Sequence, residues 1–445
     1  MQLTNTETQK VYMQTFGCQM NVRDSEGVRG LLAQSGYDFT DEMEDAQIIL
    51  FNTCSVRQHA EDRIFGRSGI LTKVKKKRPD TIIGIMGCMA QEHGSKFFRR
   101  MPSLDLVCGP GNMDEIPELI KRIATSKTQI TAIDRINETR YNMDDLEHRS
   151  HSSKAFVNIM SGCDHKCTYC IVPMTRGIER SREPKDIVNE VKGLVDRGYQ
   201  DIMLLGQNVN CYGKKLDQPT DFVDLLERID RIAKPNRIRF TTSHPKDAHL
   251  RLFEAMRDVP SVCEHLHLPV QSGSSRILRR MKREHNREWF LDRVDEFKAT
   301  LPNGSITSDL IVGFCGETDE DFKETMSLVE KVQFDSSYMF KYSPRPGTPA
   351  MKLEDDVPQI IKDERLQRLM QCQKSVTLEN NSRVIGQTVE VLFEEYYPEK
   401  SGKATGRTRE FKRVVVQTDK NVRDQILSVQ VEQAMNETLL GSLKD

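Results

Sequence analysis

The chain has 445 residues, 37% of them hydrophobic and 29% charged, which is enough for two to four globular domains with ordinary cores. Its formal net charge of −1 at pH 7 gives no overall indication of nucleic-acid binding. No apolar run approaches the length of about 18 residues that a membrane-spanning helix needs, so no membrane segment is expected.

The N-terminal residues and the cysteine content predict the compartment. Residues 1–10 lack a basic region followed by an apolar core, so no signal peptide is expected. Eleven cysteines in a chain without a leader favour a reducing compartment, the cytoplasm. In such a compartment, patterned cysteines are more often metal ligands than halves of disulfides.

The first part of the chain alternates strand-like and helix-like stretches. Helices are predicted at 25–34 and 61–76. The predicted strands are 11–16, 48–52, 81–86 and 105–107. This alternation is typical of a parallel sheet in an open α/β domain, to which we assign residues 1–140.

Three cysteines follow three of these strands at the same register. Cys18, Cys54 and Cys88 end the sequences T-F-G-C, F-N-T-C and I-M-G-C. Because the carboxyl ends of the strands form one rim of an open α/β sheet, the three thiols are expected to converge. Thiolates bind soft metals and iron–sulfur clusters, whereas a lone buried cysteine is usually a small apolar residue. Cys108 also follows a strand-like run, and we interpret it as an ordinary core or rim residue.

A polar stretch at 137–154 is predicted to be a linker, and a longer strand–helix series follows it. The predicted strands are 155–160, 201–205, 237–242, 265–270, 306–312 and 334–342. The predicted helices are 184–198, 221–233, 247–257, 274–299 and 319–332. Six such units predict a partial (β/α)6 TIM-type barrel over residues 150–380, with its chemistry at the carboxyl ends of the strands.

Cys163, Cys167 and Cys170 lie in G-C-D-H-K-C-T-Y-C, a CxxxCxxC run on the loop after the first barrel strand. Three thiolates satisfy three irons of a 4Fe-4S cube and leave the fourth iron open to a reactive ligand. The alternative is a closed zinc site made of the three cysteines and His165. Two triads in one chain favour two clusters, each with an open iron.

The C-terminal part changes character after a charged helical stretch at 363–379. Short alternating stretches at 388–393, 411–417 and 425–430 predict a small antiparallel, OB-like β-barrel over residues 383–445. Six basic residues fall within 400–413, and another basic run occupies 73–78. Loops of OB-like barrels often bind nucleic acid, although a run of charges can also be a solvated face.

These motifs resemble the radical S-adenosylmethionine (SAM) superfamily, and the chain as a whole resembles the methylthiotransferases that act on tRNA. The sequences that carry the resemblance run from about residue 10 to residue 350, and the C-terminal barrel resembles a TRAM domain. They are QTFGCQMN, FNTCSVRQHAEDRIFGR, IMGCMAQ, GCDHKCTYCIVPMTRGIERSR, LLGQNVN, LPVQSGS, DLIVGFCGET and YSPRPGTPA. Within the family, N-T-C-S-V-R and Y-S-P-R-P-G-T-P-A are most similar to the MiaB type.

The resemblance implies two 4Fe-4S clusters and SAM as cofactors. The cluster on Cys163, Cys167 and Cys170 would bind the SAM amino and carboxylate groups and cleave SAM reductively to a 5′-deoxyadenosyl radical. The cluster on the other triad would carry the sulfur to be inserted. A cofactor must carry the radical chemistry, because no side-chain acid or base can activate the aromatic C–H bond. The further residues implied to contact SAM are Tyr169, Gln207, Asn208, Ser243, Gln271, Arg283, Gly313 and Phe314.

The resemblance also implies the substrate, C2 of N6-isopentenyladenosine next to the tRNA anticodon. Threonylcarbamoyladenosine in tRNA, an aspartate of a ribosomal protein, and a non-catalytic metal-binding RNA-binding protein are the alternatives. The expected partners are a tRNA anticodon stem-loop and an electron donor, with the enzyme a monomer. The residues expected to contact RNA phosphates are Arg345, Lys403, Arg407, Arg409, Lys412 and Arg413.

Overall fold

A computed structural model describes residues 8–55, 58–136, 148–400 and 402–444. Most of the predicted linker, at 137–147, therefore lies outside the described residues. The chain divides into two compact units. The first unit comprises Met1–His151, Phe156–Asp164 and Cys170–Arg180. The second unit comprises Ser152–Ala155, His165–Tyr169 and Ser181–Asp445.

The first unit is built on one parallel sheet of six strands. From edge to edge the strands are Asp38–Phe39, Lys10–Phe16, Ile48–Thr53, Ile82–Gly87, Leu106–Cys108 and Ile130–Ala132. The four strands that the sequence predicts are present. The two edge strands, Asp38–Phe39 and Ile130–Ala132, were not predicted.

Helices cover the sheet of the first unit, and apolar side chains fill the space on both faces of it. The helices are Gln19–Gln34, Gln58–Gly66, Ser68–Lys77, Cys88–His93, Lys96–Arg100, Ile116–Ser126 and Val172–Thr175. The first helix begins six residues before its predicted start at residue 25, and Cys18 is its N-cap. This cysteine is therefore held by the junction of a strand and a helix.

The second unit contains two parallel three-stranded sheets, which together supply the six strands of the predicted partial barrel. One sheet has the order Arg237–Thr241, Asp201–Leu205 and Lys154–Asn158, and the division between the units falls within the last of these strands. The other has the order His265–His267, Ser305–Val312 and Ser336–Lys341. A backbone hydrogen bond of 3.3 Å from Ser243 N to His267 O connects the two sheets.

Helices alternate with these strands. They are Pro184–Asp196, Phe222–Ala233, Leu250–Asp258, Ser275–Arg280, Arg287–Thr300, Asp319–Val332 and the long Gln359–Ser382. The single helix predicted at 274–299 is wrong, because the structure has two helices there. Lys282 and Glu284 between them have φ values of 53° and 54°, and the Asn286 side chain caps the second helix by accepting a hydrogen bond of 2.8 Å from Trp289 N.

The chain ends in a closed five-stranded barrel, as expected of an OB-like domain. Around the barrel its strands are Thr388–Tyr397, Lys403–Thr408, Arg413–Gln417, Leu439–Leu443 and Ile426–Ala434. All neighbours are antiparallel except Arg413–Gln417 and Leu439–Leu443, a parallel pair that completes the closure. Within the described ranges, no helix of the protein has the length and apolarity needed to cross a membrane.

The turn at 409–412 of the C-terminal barrel packs against the amino ends of the strands of the parallel barrel, within the second unit. Arg239 donates hydrogen bonds of 2.6 and 2.7 Å to the carbonyls of Arg409 and Thr408. The Phe411 ring stacks on His265, with ring centroids 4.8 Å apart, and Ser305 Oγ donates to Glu410 O at 2.5 Å. This turn therefore closes the end of the parallel barrel that lies opposite the carboxyl ends of its strands.

Candidate functional site

The first unit places three cysteines at the carboxyl ends of three neighbouring strands. Phe16 pairs with Thr53, and Thr53 pairs with Gly87, so Cys18, Cys54 and Cys88 follow paired or nearly paired positions. Neighbouring strands lie about 4.8 Å apart, so side chains at this rim can reach one another. Cys54 and Cys88 are buried, and the Cys54 thiol is hydrogen-bonded to Cys18. The strand register thus places the three cysteines at the same rim of the sheet.

Arg176 supplies positive charge to this triad. It is buried, and its guanidinium donates a hydrogen bond of 2.6 Å to the Asp24 carboxylate. The hydrogen bond with Cys54 and the charge of Arg176 lower the pKa of Cys18 to about 6 against the effect of burial. Burial raises the pKa of Cys88, and Arg176 acts in the opposite direction. A buried cation beside thiols favours the thiolate form, which is the form that binds iron.

Two asparagines fix the segment that carries Cys18. Asn21 Nδ2 donates to Asn52 Oδ1 at 2.9 Å, and Asn52 Nδ2 returns a bond of 2.8 Å to Asn21 O. Asn21 Oδ1 lies 3.3 Å from both the backbone nitrogen and the sulfur of Cys18. These bonds join the first turn of the helix to the neighbouring strand, so Cys18 is positioned before any cofactor binds.

The residue before the CxxxCxxC run, Gly162, occupies a position that accepts only glycine. Gly162 has φ of 82°, and a Cβ there would lie 1.9 Å from the Ile178 carbonyl oxygen. The next residue, Cys163, donates from its backbone nitrogen to Gly177 O at 3.2 Å. Cys163 and Cys170 are half-buried members of the first unit. The start of the loop is thereby held against the 177–178 backbone.

The middle of the same loop belongs to the second unit. Thr168 donates from its backbone nitrogen to Met281 O at 2.9 Å and accepts at its carbonyl from Ala350 N at 2.8 Å. Cys167 is buried, and Arg283 Nη1 lies 3.5 Å from its sulfur. Tyr169 packs against a buried apolar cluster that includes Phe314. The loop therefore places Cys167 beside a buried cation.

A polar network lies next to this loop. His165 Nε2 lies 2.9 Å from Asp247 Oδ2, and His165 Nδ1 lies 3.2 Å from Glu284 Oε2. Burial acts to raise the pKa of Asp247, but hydrogen bonds from His165 and Asn208 outweigh it and hold that pKa well below its usual range. Carboxylates therefore face both nitrogens of His165, and the ligand atoms of His165, Asp247 and Cys211 lie within 4.8 Å of one another.

The expected SAM contacts divide into two sets. Asn208, Ser243 and Gln271 are buried at the ends of three barrel strands, and Gln207 is half-buried. Within the described residues, Asn208 Oδ1 and Ser243 Oγ are buried without a hydrogen-bond partner. Acceptor atoms of this kind, with the Arg283 cation nearby, fit the ammonium and carboxylate of an amino-acid headgroup.

Gly313 and Phe314 are enclosed by the chain itself. A Cβ on Gly313, which has φ of 69°, would lie 2.4 Å from Lys362 Cγ. The Phe314 side chain is fully buried and meets the Tyr342 ring edge-on, with ring centroids 4.9 Å apart. In the structure these two residues serve the packing beneath Tyr169.

The residues expected to contact RNA have different surroundings. Arg409 forms an ion pair of 2.8 Å with Glu264, and Lys412 forms one of 2.5 Å with Asp335. The Arg407 guanidinium carbon lies 4.2 Å from the centre of the Phe411 ring. Arg345 is buried, and its backbone carbonyl accepts a hydrogen bond from the Thr348 hydroxyl. Arg413 is exposed, whereas Lys403, like Arg407, is half-buried.

Sequence reasoning missed Arg176, the His165–Asp247 pair and the docked turn at 409–412. Arg176 stands between apolar residues in P-M-T-R-G-I, which is a weak signal of a buried cation. Arg237 and Arg239 alternate in an otherwise apolar strand, R-I-R-F-T, and this indicates charged residues facing a partner. No local pattern identifies that partner.

Comparisons with known proteins agree with this arrangement. The profile of the Radical SAM superfamily matches residues 157–329, and that of an uncharacterized protein family, UPF0004, matches residues 10–109. Two solved structures share the fold. A radical S-adenosylmethionine methyltransferase, TsrM, from Kitasatospora setae has a TM-score of 0.58 at 11% identity, over 77% of each chain. OxsB, a cobalamin-dependent S-adenosylmethionine radical enzyme, has a TM-score of 0.51 at 12% identity, over 83% of this chain and 56% of that one.

The cysteine loop on a parallel barrel places the protein in the radical SAM class, whose members use a 4Fe-4S cluster and SAM. Curated relatives define the family more narrowly. A tRNA-2-methylthio-N(6)-dimethylallyladenosine synthase of Thermoanaerobacter sp. (strain X514) is 45% identical over 97% of this chain and 92% of its own. The synthase of Clostridium beijerinckii is 42% identical over 100% and 98%. The chain belongs to the radical SAM methylthiotransferase family, is most like its MiaB type, and is a transferase.

Proposed function

We propose that the protein inserts a methylthio group at C2 of N6-isopentenyladenosine next to the anticodon of tRNA. The observation that carries this proposal is the cysteine triad of the first unit, organised around a buried arginine. A radical SAM enzyme needs one triad for SAM, and a second triad supplies a place for transferable sulfur. The names of relatives at 42% to 45% identity support the substrate.

We further propose the roles of the residues around the first cofactor site. Cys163, Cys167 and Cys170 hold the 4Fe-4S cluster, and together with SAM it supplies the one-electron chemistry that removes hydrogen from an unactivated C–H bond. Arg283 binds the SAM carboxylate, and the oxygens of Asn208 and Ser243 accept hydrogen bonds from its ammonium group. Gln207, Gln271 and Tyr169 complete the pocket, and Gly313 and Phe314 support the adenine side from behind.

In the first unit, we propose that Cys18, Cys54 and Cys88 hold a second 4Fe-4S cluster, which supplies the sulfur that enters the product. Arg176 keeps the thiols deprotonated and partly neutralises their charge. Asn21 holds Cys18 at the start of its helix, so that the three sulfurs stay at one rim of the sheet.

For the partner, we propose that Lys403 and Arg413 of the C-terminal barrel contact phosphates of the anticodon stem-loop, with Arg407 beside them. Arg345 acts from its buried turn, and Arg409 and Lys412 act by holding the turn that carries the basic strands. We also propose three functional domains, at 1–140, 150–380 and 383–445. The enzyme acts in the cytoplasm as a monomer and takes its electrons from a separate donor.

Nucleoside mass spectrometry tests this function. The reconstituted enzyme is incubated anaerobically with SAM, a reductant, a sulfur source and either of two tRNAs. One tRNA carries N6-isopentenyladenosine and the other carries threonylcarbamoyladenosine. We expect a methylthio product only from the first. Product from the second alone supports the alternative substrate, and absence of product from both contradicts the proposal.

A further inference from the structure

The last strand of the catalytic barrel, Ser336–Lys341, has one face packed and one face open. Ser337 donates to Gln373, and Lys341 is hydrogen-bonded to Asp363, both on the helix Gln359–Ser382. Because side chains alternate along a strand, Tyr338 and Phe340 face the opposite way, into the barrel. The contact of the Tyr338 ring with His267, at 5.9 Å between centroids, agrees with this direction.

The two aromatic side chains are exposed where burial would be expected. Tyr338 is 48% exposed and Phe340 is 37% exposed, with the whole chain considered. The interior face of a parallel barrel is normally filled with packed apolar side chains. A chain that leaves two aromatic rings uncovered at this location has a surface suited to an apolar or aromatic ligand.

The neighbouring strand makes this surface chemically specific. Asp309 pairs with Tyr338, and Ile311 pairs with Phe340, in parallel register. Paired residues of neighbouring strands share a face, so the surface has one acidic row and one wholly apolar row. The two rows lie about 6.6 Å apart along the strand. A base and a substituent attached to it can therefore occupy different rows.

The apolar row lies nearer the carboxyl ends of the strands. Ile311 packs against the buried cluster that Tyr169 of the cysteine loop also contacts. The apolar row therefore borders the buried cluster on which Tyr169 of the cysteine loop also packs. A ligand lying on Tyr338 and Phe340 would extend toward the cofactor site of this unit.

We propose that Tyr338, Phe340, Ile311 and Asp309 form the binding surface for an adenine base whose N6 carries a branched alkyl group. This inference rests on the proposed function and deepens it. Phe340 and Ile311 contact the alkyl group, the Tyr338 ring packs on the base, and the Asp309 carboxylate accepts a hydrogen bond from N6–H. An amine with one alkyl substituent retains a single N–H, which matches one acceptor beside an apolar row. Aromatic side chains are the usual platforms for unstacked bases.

Binding measurements with two RNAs test this surface. Fluorescence anisotropy gives Kd for an anticodon stem-loop containing N6-isopentenyladenosine and for the same RNA containing adenosine. We expect wild-type holoenzyme to prefer the alkylated RNA, and Phe340→Ala to reduce that preference about 5- to 20-fold. Phe340→Leu keeps apolar bulk and is expected to retain most of it. Tyr338→Ala weakens binding of both RNAs about equally, because stacking on the base does not depend on the alkyl group.

Ile360→Ala is the matched control, since Ile360 is 75% exposed but lies on the outer helix Gln359–Ser382. It is expected to leave both Kd values unchanged. Iron content and thermal unfolding check that each variant is folded. A preference that persists within twofold in Phe340→Ala, or unchanged binding of both RNAs by Tyr338→Ala, overturns this inference while leaving the function in place. No preference in the wild type overturns the inference and the proposed substrate together.

Discussion

Arg176 is the single residue on which the first triad most depends. Burial acts to lower the pKa of this guanidinium, but Asp24 and Cys88 outweigh it and hold that pKa well above its usual value. The arginine therefore remains charged in a buried place. It neutralises the charge of the Asp24 carboxylate, and it favours the thiolate form of the cysteines at the rim.

Replacing Arg176 with Met is expected to lower the free energy of unfolding by about 3 to 5 kcal/mol, because it leaves the buried Asp24 carboxylate without its cation. Urea denaturation of the apoprotein measures this. The double variant Arg176→Met/Asp24→Asn is the control, and it should recover most of the lost stability. Equal destabilisation of the single and double variants would contradict the pairing.

The sequence predicts the positions of the three cysteines but not the charged residues beside them. Cys18, Cys54 and Cys88 share one register after their strands, so their convergence follows from the parallel sheet alone. Arg176 lies far along the chain from Asp24, and only the folded chain pairs them. Cys108 follows a strand of the same sheet, yet it is fully buried, and burial raises its pKa against the opposing charge of Arg135.

Among the elements, the basic segment at 403–413 has the environment that differs most from the sequence prediction. Charge density predicts phosphate contact for all its cations. In the structure, the strands Lys403–Thr408 and Arg413–Gln417 form a hairpin whose turn docks on the catalytic barrel. Cations in the turn make internal ion pairs, whereas Arg413, at the start of a strand, is exposed. Charge count alone cannot distinguish these two environments, because both look the same in sequence.

The salt dependence of tRNA binding separates the two groups of cations. Lys403→Ala/Arg413→Ala is expected to weaken binding and reduce the slope of log K against log salt by about 1 to 2, since each phosphate contact releases about one counterion. Arg409→Ala is the control, because it also removes a positive charge but from the turn. It should leave the slope unchanged but lower the unfolding temperature, because it removes the ion pair with Glu264. An unchanged slope in the double variant would show that the strands do not face RNA.

The same elements show where periodicity succeeds. The strand–helix alternation predicts the parallel sheets because strand and helix have different hydrophobic periods. It misses the break between Ser275–Arg280 and Arg287–Thr300, because the residues between the two helices suit a helix locally. The tertiary position of Arg283, beside Cys167, depends on that break.

In the whole molecule, the C-terminal barrel belongs to the same compact unit as the catalytic barrel. Arg237 and Arg239 are fully or almost fully buried, and both donate hydrogen bonds to carbonyls of residues 407–409. A barrel cut from its C-terminal partner would expose these cations together with the apolar surface around them. The C-terminal barrel is thus a structural part of the second unit.

Ending the chain at residue 382 is therefore expected to lower the unfolding temperature of the remaining protein, in addition to weakening tRNA binding. The matched variant is the full chain with Phe411→Ala, which removes only the stacked ring. Its unfolding temperature should decrease less, with a loss of about 1 to 3 kcal/mol in the free energy of unfolding. Differential scanning calorimetry measures both. A truncated protein as stable as the full chain would contradict the structural role of the docked turn.

The measurement that tests the central claim most directly compares two products in two cysteine variants. The triple variant Cys18→Ala/Cys54→Ala/Cys88→Ala and the control Cys108→Ala are assayed for 5′-deoxyadenosine and for methylthio nucleoside. We expect the triple variant to form 5′-deoxyadenosine without any methylthio product, because its SAM site is intact and its sulfur site is lost. Cys108→Ala should form both. Methylthio product at the wild-type rate from the triple variant would contradict the claim that the first triad supplies the sulfur.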